Sequence, residues 1–316
     1  MTKLDATVLV ATYNRAHLLP GTLAALGAQQ VPDALAWEIL VVDNNSRDHT
    51  RQVVAAFAKS VKVPVRYVFE SRQGLSYARN RGIQEARGSI IAFTDDDVLP
   101  APDWLAATIK AFATWNADCV GGRILPRWET SPPTWITGNR FLLARLALMD
   151  CEESRLLTFP LADSPQVWGA NMAFRRELFD RVGAFDTARG MKGAKLVRGE
   201  EVELISRALE QGARVAYDPS MVVLHRIDHD RLKKRYFLKI EFDDAENETR
   251  LLPAPPGRTF RGVPLWGYRE LVTEFWKCLG YTLLGRSDAF SQQLYWFSLL
   301  GRASGYAKAR RNRAAT

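Results

Sequence analysis

The chain has 316 residues, 47% apolar and 25% charged, which is the composition of a globular protein with its own core and excludes a disordered or fibrous chain. Its net charge of +8 predicts an anionic partner, but does not distinguish a nucleotide from a nucleic acid or an anionic membrane. Three widely spaced cysteines exclude a disulfide framework and a cysteine-based zinc site, so we expect a reducing compartment.

Two further features bear on location. The amino-terminal residues lead directly into a strand-like run, so we expect no secretory signal. No uncharged apolar stretch of about 18 residues occurs, so we predict no helix that spans a membrane. Together with the cysteines, these features predict a cytoplasmic protein.

Strand and helix patterns alternate through the first hundred residues. The sequence predicts buried strands over 6–11, 38–42, 63–69 and 89–94, with a helix after each of the first three. Asn14 is a candidate N-cap of the first helix, and Ser46 or Asp48 of the second. This alternation predicts an α/β fold with a mostly parallel sheet flanked by helices.

Polar clusters follow three of these strands, where parallel sheets bind ligands. The clusters are Thr12, Tyr13, Asn14 and Arg15; Asp43 and Asn44; and Asp95, Asp96 and Asp97. Three adjacent carboxylates repel one another unless a cation joins them, and a divalent ion completed by a substrate diphosphate is the natural candidate. A solvated acidic turn is the alternative. No glycine-rich phosphate loop follows the first strand, which disfavours dinucleotide and P-loop sites.

The pattern changes after residue 100. A helix is predicted over 103–115 and strands over 119–125 and 167–174, so we expect the sheet to become mixed. Irregular segments over 126–139 and 149–165 are interpreted as the acceptor side of a cleft. A glycine-rich basic loop over 189–198 fits either a lid that orders over a ligand or a plain exposed loop.

An acidic pair begins the next predicted helix. Helical spacing places Glu201 on the apolar face with Leu204 and Ile205, and Glu200 on the wet face with Arg207. An inward-facing carboxylate predicts a substrate contact, and the alternative is that both acids complement the helix dipole.

Short strands are predicted over 213–218 and 221–225, and His225 ends the second. A histidine in that position is more often a core residue than a ligand, although imidazole also binds borderline metals.

The carboxyl-terminal part has a different character. A charged helix over 230–252 and a proline-rich break over 253–257 precede amphipathic, aromatic helices and a basic tail. This pattern predicts contact with a membrane surface through 265–313. Docking of a helical pair on the rest of the chain, or on a dimer partner, is the alternative.

Several motifs in order resemble family 2 glycosyltransferases of the GT-A fold. They are residues 8–15 (VLVATYNR), 39–46 (ILVVDNNS), 78–83 (ARNRGI) and the Asp-Asp-Asp turn, and the likeness covers about residues 5–227. The resemblance implies a catalytic domain over 1–229, with a donor half over about 1–100 and an acceptor half over about 101–229. A helical region would then span 230–316.

The resemblance also implies roles for individual residues. The nucleotide is expected against Thr12, Tyr13, Asn14, Arg15, Asp43 and Asn44. Asp95 and Asp96 are expected to contact the donor, and Arg79 to face its diphosphate, with a surface helix arginine as the alternative. Asp97 is implied as the principal metal ligand, with Asp95 and His225 as further candidates. The general base is expected in the pair Glu200 and Glu201, with Glu201 favoured. Trp168, Gly169 and Asn171 are implied as acceptor contacts.

The expected function is therefore a metal-dependent inverting glycosyltransferase that uses Mn²⁺ or Mg²⁺. It would move a sugar from a nucleoside diphosphate, preferably UDP, to a hydroxyl of a saccharide or lipid-linked acceptor in polysaccharide or glycolipid assembly, on the inner face of the cell membrane. The alternatives are a sugar-phosphate nucleotidyltransferase and a non-catalytic scaffold for membrane or nucleic acid. Since no nucleic-acid motif occurs, we expect no nucleic-acid partner.

Overall fold

The structure is a computed structural model, and it describes residues 4–161, 165–191, 198–253, 255 and 257–315. The chain forms two compact units, Met1–Gly193 with Gly199–Asp228, and Ala194–Arg198 with His229–Thr316. Among the helices described, none has the length and apolar character needed to cross a membrane.

The described elements of the first unit are nine strands and eight helices. The strands are β1 (Leu4–Thr12), β2 (Trp37–Asp43), β3 (Val65–Phe69), β4 (Gly88–Asp95), β5 (Val98–Pro100), β6 (Cys119–Trp128), β7 (Arg155–Leu156), β8 (Met172–Arg175) and β9 (Val215–Ile227). The helices are α1 (Leu19–Gly27), α2 (Thr50–Ala58), α3 (Leu75–Glu85), α4 (Trp104–Trp115), α5 (Thr134–Thr137), α6 (Arg140–Arg145), α7 (Leu178–Val182) and α8 (Glu200–Glu210).

These strands form one sheet in the order β3-β2-β1-β4-β8-β6-β9-β5, with β7 beside β9. The first four strands pair in parallel, because a helix connects each to the next and returns the chain to the same end of the sheet. β8 runs antiparallel to β4 and β6, and β5 runs antiparallel to β9. The predicted fold class, a mostly parallel α/β sheet that becomes mixed, is confirmed.

Two residues of the 78–83 motif hold α3 in place. Gly82 lies directly over β1, where an added Cβ would come within 2.0 Å of Leu9 Cδ1. The Asn80 side chain makes two hydrogen bonds to the backbone of Phe185, donating to its carbonyl at 2.8 Å and accepting from its amide at 2.9 Å. Phe185 packs edge-on against Phe93 of β4 with ring centroids 5.7 Å apart. The motif therefore joins α3 to β1 and, through Phe185, to β4.

Some predicted boundaries are wrong. The strands predicted over 213–218 and 221–225 are one continuous strand, β9, because it pairs along its length with β6 and β5. β6 extends to Trp128, and α5 lies within the segment predicted to be irregular over 126–139. β5 was not predicted, since three residues are too few to form a recognisable pattern.

Asn14 does not cap α1, which begins at Leu19 without a side-chain cap. Asn14 instead adopts a left-handed backbone, and its side chain accepts a hydrogen bond from Arg47 N at 2.8 Å. The predicted cap Asp48 precedes the N-cap of α2 by one residue and accepts from Thr50 N and from Ala16 N. These polar residues therefore tie together the loops after β1 and β2.

The predicted lid over 189–198 is only partly described, because residues 192–197 lie outside the described residues. Its first part is attached to the start of α3. Met191 O accepts from Leu75 N at 2.9 Å, and Arg189 O accepts from Ser76 Oγ at 2.9 Å.

The second unit contains the 3₁₀ helix His229–Leu232, α9 (Lys234–Leu251), the hairpin strands β10 (Thr259–Phe260) and β11 (Val263–Pro264), α10 (Leu265–Leu283) and α11 (Ala289–Ala315). Glycines allow α9 and α11 to approach closely, since a Cβ on Gly301 would lie 2.3 Å from Phe242 O. Glu246 of α9 joins the pair further along, accepting from Ser304 Oγ and Lys308 Nζ at 2.6 Å each.

Candidate functional site

The register of the parallel strands aligns three polar clusters. Thr12 of β1 pairs with Asp43 of β2, and Ala11 of β1 pairs with Asp95 of β4. The carboxyl ends of these strands therefore lie level at one edge of the sheet, as the sequence predicts.

The middle carboxylate of the Asp-Asp-Asp turn points into the protein. Asp96 is buried and accepts from Thr12 Oγ1 at 2.7 Å and from Arg15 Nη1 at 2.8 Å. Burial raises the pKa of Asp96 to about 6, against the opposing effect of the Arg15 guanidinium. Its oxygens thus bind the end of β1 and the following loop, so Asp96 helps to hold the turn in place, and its expected donor contact stays a prediction.

Asp97 lies between Arg15 and His225. Its Oδ2 accepts from Arg15 Nη1 at 3.0 Å, and its Oδ1 lies 3.5 Å from His225 Nε2. The antiparallel pairing of β5 with β9 sets Val98 opposite His225, which brings Asp97 to the histidine.

The hydrogen bond on the other ring nitrogen of His225 decides its tautomer. His225 Nδ1 lies 3.0 Å from Leu146 O, and a carbonyl oxygen can only accept. Neutral His225 therefore carries its proton on Nδ1 and directs the lone pair of Nε2 towards Asp97. This arrangement is typical of a metal-binding histidine held by a carbonyl.

These residues suit a divalent cation for which the protein supplies only some of the ligands. No group of three or more His, Cys, Asp and Glu side chains in the described part of the chain is arranged to hold a metal ion. Mg²⁺ and Mn²⁺ are commonly bound by one or two protein ligands together with substrate phosphates. Asp97 and His225 fit that arrangement, and Asp95 of the same turn, with its side chain about a third exposed, is a further candidate ligand.

The cluster after β2 is stabilised by a residue that the sequence did not reveal. Asp43 accepts from Ser46 N at 2.9 Å and from Tyr67 OH at 2.7 Å. Burial and the Asp43 carboxylate both raise the pKa of Tyr67, so its hydroxyl remains a donor. Tyr67 lies on β3, and only the β2–β3 pairing brings it to Asp43.

Asn44, expected to bind the nucleotide, has an internal role in the described structure. It is buried, donates to Arg72 O at 2.7 Å, and accepts from Gly74 N at 2.7 Å. It therefore holds the loop before α3. Tyr13, the residue that follows β1, is half-buried.

Arg79 is buried between two acidic side chains. It donates from Nη1 to Glu200 Oε1 at 2.8 Å and has Nη2 3.6 Å from Asp95 Oδ1. The guanidinium thus links the Asp-Asp-Asp turn to the start of α8. The alternative of a surface helix arginine is wrong, because Arg79 is buried between Asp95 and Glu200. Contact of Arg79 with a donor diphosphate stays a prediction.

The expected wet position of Glu200 is also wrong, since this residue is 3% exposed. Burial and the charge of Glu201 raise the pKa of Glu200 to about 8, and Arg79 opposes that rise. Glu201 is half-buried, and its Oε1 lies 3.5 Å from Gly169 N. One oxygen of each carboxylate, Oε2, is buried without a hydrogen-bond partner among the described residues.

The three expected acceptor residues have separate environments. Asn171 is fully buried and donates to Arg123 O and Met221 O while accepting from Trp104 Nε1, so it has a structural role. Gly169 leaves room for Arg79, because an added Cβ would lie 1.9 Å from its Nη2. Trp168 is half-buried and donates to Gln166 Oε1 at 2.8 Å.

A cavity of about 750 Å³ lies beside β6 and α6. Trp128, Arg140 and Arg155 line it together with the acidic residues Asp150, Glu152 and Glu153. Pro126, also in the lining, pairs with His225 in the parallel register of β6 and β9, so the two residues lie on the same face of the sheet. Leu146, whose carbonyl binds His225, ends α6, and Leu143 and Ala144 of α6 line the cavity.

Comparison with known proteins identifies relatives of the chain. The glucosyl-dolichyl phosphate glucuronosyltransferase of Haloferax volcanii is 29% identical over 192 residues, which are 60% of this chain and 58% of that protein. The succinoglycan biosynthesis protein ExoM of Rhizobium meliloti is 24% identical over 77% of this chain and 74% of its own length. This chain thus spans little more than half of the first relative.

A solved structure shares the fold. The mannosyltransferase PcManGT from Pyrobaculum calidifontis, in complex with GDP-Man and Mn²⁺, aligns with a TM-score of 0.56 at 22% identity, covering all of this chain and 75% of that one. The model of glycosyl transferase family 2 matches residues 7–183, more than half of the chain. With the level strand ends, the carboxylate turn and the GT-A architecture, this match shows that the chain belongs to glycosyltransferase family 2.

Proposed function

We propose that this chain is a metal-dependent, inverting glycosyltransferase. It moves a sugar from a nucleoside diphosphate, preferably UDP, to a hydroxyl of a saccharide or lipid-linked acceptor in polysaccharide or glycolipid assembly. The observation that carries the proposal is the pairing of two sites at one sheet edge. Asp97 with His225 suits a cation, and Glu201 presents a carboxylate oxygen without a partner among the described residues.

The donor nucleotide is proposed to bind at the ends of β1 and β2. Asp43 retains acceptor capacity for a base N–H or a ribose hydroxyl, because a carboxylate can accept about four hydrogen bonds and those from Ser46 N and Tyr67 OH account for two. Tyr13 supplies a partly exposed aromatic ring, and Arg15 supplies positive charge beside Asp97.

A divalent cation bound by Asp97 and His225, with Asp95 as a further candidate, would supply positive charge to the leaving diphosphate. The chain's own contribution is orientation. The Leu146 carbonyl keeps His225 in the tautomer that binds metal, and Arg79 at 3.6 Å supports Asp95.

Glu201 is the proposed general base. It takes the proton of the acceptor hydroxyl as that oxygen forms a bond to the anomeric carbon, while the bond from this carbon to the diphosphate oxygen breaks. The displaced nucleoside diphosphate leaves with the bonding electron pair, and the configuration inverts. Glu200 accepts a hydrogen bond from Arg79 and helps to position the start of α8, where Glu201 lies.

The cavity of about 750 Å³ is the proposed acceptor pocket. Its volume lies within the range of small-molecule sites. Trp128 offers an aromatic surface to a sugar ring, and the surrounding arginines and carboxylates offer donors and acceptors for hydroxyl groups. The pocket lies on the sheet face of His225, which supports its use by the substrate opposite the donor.

The decisive experiment measures nucleotide release from UDP-, GDP- and dTDP-sugars with Mn²⁺, Mg²⁺ or a chelator. We expect metal-dependent release from one donor, and Glu201→Gln should lower transfer at least ~100-fold while donor binding persists. Asp97→Asn should weaken metal-dependent donor binding.

The matched control is Glu210→Gln, an exposed acid at the end of the same helix, which should transfer at the normal rate. Retained transfer by Glu201→Gln together with loss in Glu200→Gln would assign the base to Glu200. Failure of every donor both to bind and to turn over would refute the proposed reaction.

A further inference from the structure

The second unit carries an apolar stripe on the exposed side of α10. Leu265, Val272, Trp276, Leu279 and Leu283 recur at spacings of seven, four, three and four residues, so they lie on one face of the helix. Trp276 is 64% exposed and Leu283 77% exposed. No residue of α10 is buried.

The opposite face of α10 packs on α11, so the stripe is the side that remains uncovered. Phe275 stacks on Trp296 with ring centroids 5.5 Å apart, and Trp296 Nε1 donates to Leu271 O at 3.2 Å. Tyr295 OH donates to Glu270 at 2.7 Å. A contiguous apolar surface of this kind on a folded unit is typical of an interaction site.

Positive charge is concentrated in the same part of the chain. Residues 252–316 contain ten Lys and Arg against three Asp and Glu, a net charge of +7 out of +8 for the whole chain. The three acids lie beside bases or polar groups of the unit: Glu274 binds Lys277, Asp288 binds Arg286, and Glu270 binds Tyr295. This segment is therefore net positive, and of its basic residues Lys308 also binds Glu246 of α9.

The hairpin before α10 joins the arginines to exposed aromatic rings. Arg261 lies at the left-handed turn between β10 and β11, with its guanidinium 5.5 Å from the ring centre of Phe260. Gly262 packs on the end of α11, where a Cβ would lie 2.9 Å from Arg310 Cβ. Arg258 O accepts from Leu265 N at 3.0 Å. Phe260, 57% exposed, thus lies beside Arg261, and Trp266, the second residue of α10, is 53% exposed.

We propose that this stripe and hairpin form a docking face for the surface of a bilayer that contains anionic lipids. Aromatic and leucine side chains enter the interface, and the arginines contact lipid phosphates. A second copy of the chain is the weaker occupant, because a symmetric dimer would set two faces of equal positive charge against each other. The inference rests on the proposed function in one respect: a lipid-linked acceptor is located in a membrane, so the enzyme would act at a membrane surface.

The test is flotation of the full chain with vesicles of phosphatidylcholine, with and without about one third phosphatidylglycerol. We expect binding to the anionic vesicles that weakens at high salt. The double variant Trp266→Ser/Trp276→Ser should lower binding at least ~10-fold, and Arg258→Gln/Arg261→Gln should lower it ~10-fold on anionic vesicles. Phe159→Ser, a change at a ring 54% exposed in the first unit, is the matched control and should bind normally.

The outcomes separate this inference from the proposed reaction. Vesicle binding by a chain that neither binds nor turns over any donor would support the docking face and refute the reaction. Absence of binding in a chain that turns over donor would overturn the docking face. A dimer in solution that Trp266→Ser/Trp276→Ser converts to a monomer would show the face to be an interface between copies, and would likewise overturn it.

Discussion

Arg79 and Gly169 occupy adjoining space in the first unit. The guanidinium runs between Asp95 and Glu200, and a methyl group on Gly169 would lie 1.9 Å from Nη2 and 2.8 Å from Cζ. We expect Gly169→Ala to displace Arg79, to destabilise the fold by about 1–3 kcal/mol and to reduce transfer. Urea unfolding and donor turnover measure the two effects.

Gly280→Ala serves as the control for that substitution. An added Cβ at Gly280 meets no heavy atom within 4 Å, and the residue lies inside α10. We expect it to be neutral or to stabilise by about 0.5–1 kcal/mol, as alanine does in a helix interior. Equal stability of Gly169→Ala and the unchanged protein would show that Arg79 moves freely.

Glu200 gives the free energy of unfolding a dependence on pH. Its pKa in the folded protein is about 8, well above its ordinary 4.5, because burial and Glu201 disfavour its charge. Between these two values the folded state holds a proton that the unfolded state has lost, so the stability it contributes is present at low pH and declines as pH rises to about 8.

Glu200→Gln removes that titration, so we expect its stability to fall less between pH 5 and 8 than that of the unchanged protein. Urea unfolding at several pH values measures the difference between the two slopes. Asp96, whose pKa rises to about 6, contributes in the same direction to both proteins, so only the difference reports on Glu200. Glu210→Gln on the same helix should keep the original slope, and identical slopes for Glu200→Gln would contradict the assignment.

At the scale of elements, the pairing of β5 with β9 creates the proposed cation site. The short strand β5 follows the Asp-Asp-Asp turn at once, and its antiparallel register brings His225 to Asp97. The end of α6 then sets the histidine's tautomer through Leu146 O. Three elements distant in the chain therefore meet at one imidazole ring.

We expect His225→Ala to raise the Mn²⁺ concentration needed for half-maximal turnover at least ~10-fold, since a ligand nitrogen is lost. Direct titration of Mn²⁺ with nucleotide present measures the same change without turnover. His229→Ala, in the 3₁₀ helix of the second unit, is the control and should need no more metal than the unchanged protein. An unaltered metal requirement in His225→Ala would remove this histidine from the site.

Helical spacing at the start of α8 illustrates the limit of periodic patterns. The spacing correctly predicts that Leu204 and Ile205 are buried, but it places Glu200 on the solvent side, where the structure buries it. The first turn of a helix reaches beyond the surface on which its later turns pack, so its neighbours belong to other elements of the fold. Here that neighbour is Arg79, 121 residues earlier in the chain.

At the scale of the whole molecule, binding of donor nucleotide should raise thermal stability. A nucleoside diphosphate and Mn²⁺ together should increase Tm by about 5 °C or more at ~100 times the Kd, because both bind only the folded state. Either alone should have a smaller effect, since the diphosphate completes the metal shell.

Comparison of UDP, GDP and dTDP in that thermal assay identifies the nucleobase that the donor site prefers. Asp97→Asn should lose the increment that depends on metal while retaining any increment from nucleotide alone. If the Tm increments from metal alone and from nucleotide alone simply added when both were present, the two would bind at independent sites. Family membership already favours a glycosyltransferase over the nucleotidyltransferase and scaffold alternatives.

The amino-acid sequence by itself determined the α/β architecture, the level polar clusters and the family. These depend on local signals, namely apolar runs of strand length, turn residues at their ends and the order of short motifs. The tertiary structure alone decided which polar groups meet. Thr12 with Asp96, Tyr67 with Asp43, Arg79 with Glu200 and Leu146 O with His225 are contacts between distant segments. Sequence spacing does not contain this information, because burial and hydrogen bonding select a partner only after the sheet and its helices have packed.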